Sequence, residues 1–156
     1  MNLLMQKHLK QIIVCIAFAL LLFTGCKKGN NDTDKPLRYI AENGKLKGIL
    51  DLNIVGTEFY GRYEIVNGVN GSDIGQVRGK IKGDTLIGNY YYKPWAGTNK
   101  KRIPIALLKK DGYLLEGKGV VVEFVNIPHF SPDIPIDFSN PRFIFIPVTD
   151  TISIKK

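Results

Sequence analysis

The sequence predicts an all-β domain, an antiparallel meander of about eight strands closed into a barrel in preference to a two-sheet sandwich. Three observations carry this prediction. Apolar and polar residues alternate in one segment after another, turn-forming Gly, Asn and Asp residues separate those segments, and glycine recurs on the inward parity of the strands.

In "KLKGILDLNI", Leu46, Gly48, Leu50, Leu52 and Ile54 share one face, and Lys45, Lys47, Asp51 and Asn53 lie mainly on the other. That period of two is the mark of a half-buried strand. The inward set continues with Phe59, Gly61, Tyr63 and Ile65, then Val77, Gly79 and Ile81, then Leu86, Gly88, Tyr90 and Tyr92, then Ile103, Ile105 and Leu107. Asn67-Gly68 and Asn70-Gly71 open a loop, whereas Gly83-Asp84 and Asp111-Gly112 have the composition of tight hairpin turns. Beyond Gly112, "YLLEGKGVVVEFVN" predicts a longer strand or a pair, with Val120 to Val122 buried on both faces or bulged. The proline-rich stretch from Ile127 to Pro135 predicts a long irregular connection, because proline removes ladder donors and restricts its predecessor. "PRFIFIPV" and "TISI" supply the last strands. Inward glycines at Gly48, Gly61, Gly79, Gly88 and Gly117 let strands bend sharply or let another backbone approach. They favour a lipocalin-like barrel, whose interior either holds one small ligand or fills with side chains.

The first residues are of another kind. Lys7, His8 and Lys10, with no acid, precede the apolar run "IIVCIAFALLLF" from Ile12 to Phe23, the pattern of a secretory signal. A helix over this run would be roughly 18 Å long, too short for a hydrocarbon core of about 30 Å. Thr24, Gly25 and Cys26 follow, and the stretch from Phe23 to Cys26 resembles the lipobox of bacterial lipoproteins, with Phe23 where that family usually carries Leu. The resemblance implies cleavage before Cys26 and acylation of Cys26, so that residues 1–25 are a signal peptide and the partner at this end is a membrane. Two or three acyl chains hold a protein durably at a bilayer, where one does so only marginally. "KKGNNDTDKP", from Lys27 to Pro36, is polar and reads as a flexible tether. On this division the lipidated cysteine and tether occupy residues 26–44 and the barrel residues 45–156.

Without Met1 to Gly25 the chain has 131 of its 156 residues, and its formal charge falls from +8 to +6 because Lys7 and Lys10 leave with no acid. That is single-domain size. Cys15 and His8 leave too, so only Cys26 and His129 remain of their kinds. This excludes a Cys nucleophile, a thioredoxin-like pair and a Cys-rich zinc site, and it makes His129 a poor basis for a metal centre or a Ser/His/Asp triad. No Gly-x-Ser-x-Gly, phosphate-binding glycine loop or His-Glu-x-x-His occurs. Glu116 and Glu123 have opposite parity and do not pair for catalysis. The expectation is a protein without cofactor and without enzymatic activity.

Two features bear on function. Tyr90, Tyr91, Tyr92 and Trp95 cluster at a strand end and in the loop beyond it, with Phe59, Tyr60 and Tyr63 on the strand expected beside them. Tyr90, Tyr92 and Trp95 could line a mouth for a small apolar or glycan ligand, or the tyrosines could serve as core and cross-strand pairs. Lys93, Lys100, Lys101, Arg102, Lys109 and Lys110 gather nearby. Lys100 and Arg102 would rim such a mouth, and the patch as a whole could face an anionic envelope component or be a solvated rim that blocks edge pairing. Nucleic acid suits the charge but not a secreted compartment.

The wording from Val77 to Gly97 and from Arg102 to Gly119, with "GDTLIGNY" and "LLEGKG" as its markers, resembles small Gram-negative envelope lipoproteins of uncharacterised function. The resemblance implies a lipid-anchored β domain at the outer membrane and brings no activity with it. The function expected is therefore that of a lipid-anchored cell-envelope protein binding a small apolar or glycan ligand. The alternative is a structural or protein-interaction lipoprotein with a solid core.

Overall fold

The computed structural model describes residues 35–148. The expected signal peptide, Cys26 and most of the tether lie outside the described residues, as does the "TISI" strand. The strands are β1 (Leu37–Asn43), β2 (Leu46–Val55), β3 (Glu58–Asn67), β4 (Ser72–Lys82), β5 (Thr85–Lys93), β6 (Lys101–Lys110), β7 (Tyr113–Glu116), β8 (Val121–Phe124), β9 (Ile127–Phe130) and β10 (Ile144–Pro147). Eight of them form a closed barrel in the order β1-β10-β7-β6-β5-β4-β3-β2, while β8 and β9 make a separate hairpin. All the barrel pairings are antiparallel. The ring closes within residues 37–147.

Alternation dictates what fills the barrel. Leu50, Leu52, Phe59, Tyr63, Val77, Leu86, Tyr90, Leu107, Leu114, Phe143 and Phe145 are all buried inside. Each such apolar side chain contributes roughly 1.5–3 kcal/mol when fully buried. Space does not collect beside the inward glycines, because neighbouring backbone moves in against Gly61, Gly79 and Gly88, and side chains cover the others, the Phe145 ring over Gly48 and Phe138 and Ile136 over Gly117. A methyl group added to Gly61 would run into the Asp51 carbonyl, one on Gly79 into the Ile87 carbonyl, and one on Gly88 into the Arg78 carbonyl. Gly79 and Gly88 are direct partners across the β4–β5 ladder, so two strands approach there with no side chain between them.

Three expectations need correction. The barrel begins at Leu37 and not at residue 45, because β1 pairs with both β2 and β10 and closes the ring. Ala41 is buried, whereas Arg38 and Glu42 face solvent. Residues from Ile127 to Phe130 form a strand and not an irregular connection. Pro128 is accommodated because the Ser131 N–H bonds to the Val120 carbonyl. In the alternating antiparallel ladder this leaves Pro128, opposite Glu123, at a position that needs no donor. Finally, Val120, Val121 and Val122 are exposed and not buried on either face. The chain leaves the barrel after β7, and the Gly117 N–H bonds to the Ala106 carbonyl. Ala106 has outward parity yet is fully buried beneath this excursion.

Gly61→Ala and Gly79→Ala are expected to destabilise the fold by at least the ~1–3 kcal/mol typical of overpacking. That corresponds to a fall in melting temperature of roughly 4–8 °C for each kcal/mol. Gly44→Ala, whose added methyl meets open space at φ +61°, should lose only about 1–2 kcal/mol from backbone strain. Thermal denaturation followed by circular dichroism checks this, and a Gly61→Ala protein as stable as the parent would overturn it.

Candidate functional site

The connections at residues 44–45, 68–71 and 94–100, together with the excursion after Glu116, meet at one end of the barrel. Here the inward pattern places a carboxylate among rings. Glu116, at the end of β7, is 7 % exposed and is the only buried charged residue among those described. Its backbone is tied to the returning chain by Glu116 N–H to Phe143 O at 2.9 Å and Arg142 N–H to Glu116 O at 2.8 Å. The Tyr63 hydroxyl donates to Glu116 Oε2 at 2.7 Å, and Arg142 Nη1 lies 3.6 Å from Oε1. Burial pushes the Glu116 carboxyl up from the ordinary carboxylate range, opposed by the Tyr63 hydrogen bond and the Arg142 charge. Burial likewise drives the Tyr63 and Tyr90 phenols well above their usual range.

Rings connect this group to the rim. Tyr92 stacks on Tyr90 at 4.6 Å and 9°. Tyr90 lies 4.8 Å from Tyr63, and Tyr63 meets Phe145 edge-on at 5.7 Å. The Tyr90 hydroxyl donates to the Asp73 carbonyl at 2.8 Å. The Asp73 side chain in turn accepts the Trp95 backbone N–H at 2.9 Å. This holds the loop after β5 against the start of β4, with the Trp95 ring laid on Gly71, where any side chain would collide with it. Beside the ring is a recess of about 400 Å3, lined among others by Ile65, Asn67, Asn70, Asp73, Trp95 and Arg142.

The structure separates the residues that the sequence grouped. Trp95 walls the recess and is 70 % exposed, whereas Tyr90 is 1 % exposed and belongs to the core. Tyr92 is half-buried on top of Tyr90, and Lys100 is exposed at the end of the rim loop. Arg102 is not on the mouth. It lies opposite Tyr91 in the β5–β6 ladder, stacks 5.3 Å from that ring on the outer wall, and donates from Nε to Asn89 Oδ1 at 3.0 Å. One residue of parity decides this, since Tyr90 and Tyr92 point in and Tyr91 points out. Sequence reasoning included Tyr63 among the aromatics near the mouth but missed Asp73, Glu116 and Arg142 as site residues. For Glu116 the signal was present, because it shares inward parity with Leu114. For Arg142, which acts from a loop, there was none.

A second recess, of about 420 Å3, lies on the outer wall and includes Asp51, Tyr60, Arg62 and Arg78. Two of its charges are already paired, Asp51 with Arg38 through two bonds of 2.6 and 2.9 Å and Arg62 with Glu64 at 2.9 Å. Among the described residues no three His, Cys, Asp or Glu side chains gather as metal ligands would. No family profile, curated protein or solved structure matches this chain, so the chemistry of the site is read from its own residues.

A carboxyl whose pKa rises on folding stabilises the protein below its unfolded value near 4.5, and that contribution is lost as pH rises through the folded value. Glu116→Gln retains an acceptor for Tyr63 but does not titrate. Urea denaturation from about pH 4 to about pH 7 should therefore show the parent losing stability relative to Glu116→Gln as pH rises. Parallel profiles would refute the assignment.

Proposed function

We propose that this chain is a lipid-anchored cell-envelope protein, held at the outer membrane through acyl chains on Cys26, whose barrel binds a small glycan at the Trp95 recess. The observation that carries the reading is the composition of that recess. An exposed indole face stands beside the amides of Asn67 and Asn70, the Asp73 carboxylate and the Arg142 guanidinium. A flat aromatic surface suits the C–H face of a sugar, and convergent amide and charged groups suit its hydroxyls. The filled barrel interior favours a polar ligand at the rim over an apolar one inside. The same solid core also supports the second reading, a spacer or protein-interaction lipoprotein with no small ligand. Neither reading assigns a catalytic residue.

Native mass spectrometry of the protein released from its own envelope should find a co-purifying saccharide. Trp95→Ala should weaken its binding about tenfold, the upper range for loss of one aromatic contact. A chain that carries nothing, together with no binding to glycan arrays, would leave the spacer reading.

Anchoring is tested separately by Cys26→Ser. The variant should retain its leader and lose the acyl mass seen in the parent. A cleaved variant that still partitions into detergent would remove the lipobox reading.

A further inference from the structure

The loops at the recess end of the barrel and the β8–β9 hairpin both carry exposed apolar groups. At the tip of the β8–β9 hairpin, Val125 and Asn126 both have positive φ, 50° and 58°. Such a two-residue turn favours Asn-Gly, and a β-branched residue there is strained. Yet this position holds Val125, 72 % exposed, next to Phe124, 73 % exposed. Solubility and turn chemistry both argue against that pair, so its presence calls for an apolar environment outside the barrel. Val69, on the 68–70 turn, is 101 % exposed, and Trp95 projects from the neighbouring loop. β7 runs toward the end at which β6 begins, and the hairpin that follows packs through β9 on β6.

The acids of this end are engaged, Glu42 3.9 Å from Lys47, Asp73 with the Trp95 N–H and Glu116 with Tyr63 and Arg142, while Glu123 is exposed on β8. Lys93, Lys100 and Lys101 are exposed, and none of them is paired with a carboxylate among the described residues.

We propose that this end of the barrel, through Val69, Trp95, the Phe124–Val125 tip and Lys93, Lys100 and Lys101, docks on an anionic lipid bilayer surface. Separate convex prongs suit a soft medium, which closes around each one, whereas a protein partner would have to supply a matching groove for every prong. An indole seats at the headgroup level, aliphatic and Phe side chains enter below it, and lysines lie against anionic headgroups. The proposal is independent of any ligand in the recess and of acylation at Cys26.

Trp95 is the only tryptophan of the chain, which makes it the reporter. The fragment 35–156 contains the whole closed barrel and no acylation site. Titrated with vesicles of phosphatidylglycerol and phosphatidylcholine, it should show a blue shift of Trp95 emission and quenching by lipids brominated near the headgroup. Vesicles of phosphatidylcholine alone should give much less, and added salt should weaken binding. Lys100→Gln with Lys101→Gln should lower the partition constant about thirtyfold. Phe124→Ser with Val125→Asn should lower it at least about tenfold, while circular dichroism remains that of the parent because Asn tolerates positive φ. The same tip variant should keep any saccharide bound in the recess, which separates this proposal from the ligand reading. Emission that stays solvent-like on anionic vesicles, or binding that neither double variant alters, overturns the proposal. So does a lipid-free dimer that the tip variant dissolves, since the prong would then be an interface between copies.

Discussion

Backbone meeting backbone at Gly61, Gly79 and Gly88 sets the radius of this barrel, and the rest of the structure follows from that radius. Where Gly61, Gly79 and Gly88 sit, the facing wall is a neighbouring strand's carbonyl and not another side chain. Strong coiling of β3, β4 and β5 brings the sheet round on itself with only eight strands. A wider ring would need side chains at those positions and would enclose free volume.

A narrow interior is filled by few residues, so each must be large. Tyr63, Tyr90, Phe59, Phe143 and Phe145 meet that need, and two of them bring hydroxyls that have to be satisfied away from water. Tyr90 reaches the Asp73 backbone, and Tyr63 reaches Glu116. Glu116 is thus placed by the tyrosine it satisfies, and Arg142 is placed beside it by backbone bonds to the same residue. No buried side-chain polar atom among the described residues lacks a partner. The polar end of the barrel is therefore a consequence of filling a small core with tyrosine, and the Trp95 recess lies where that polar network meets solvent.

How much of this was legible in the sequence depends on whether a residue's role was local. Parity along a strand is local, and it gave the inward faces of β2 to β6 correctly. It also placed glycine inside, although sequence could not decide between space and close approach, which depends on the position of the next strand. β1 was hidden because its inward residues are Tyr39 and Ala41, a weak alternation, while Ile40 faces outward against Ile49 and Ile146. Tyr90 and Arg102 lie near each other in sequence, yet their side chains belong to opposite faces of the barrel wall. Arg142, separated from Glu116 by the whole excursion, reaches it only through the return of the chain.

That return also makes the site's position mechanically distinctive. β7 and β10, the strands that close the barrel, have four residues each, whereas β2 has ten and β4 eleven. The closing seam has the shortest ladders and depends on other contacts: Phe143 and Phe145 from inside, Ile144 against Leu115 from outside, and Asn43 Nδ2 donating to the Arg142 carbonyl at 2.7 Å. Segments with few backbone bonds open at lower free energy than long central strands. Glu116 ends one seam strand, and Arg142 lies two residues before the other. A molecule that engages Arg142 in the recess therefore acts on the part of the barrel with the least backbone pairing, and it stabilises closure most where closure is weakest.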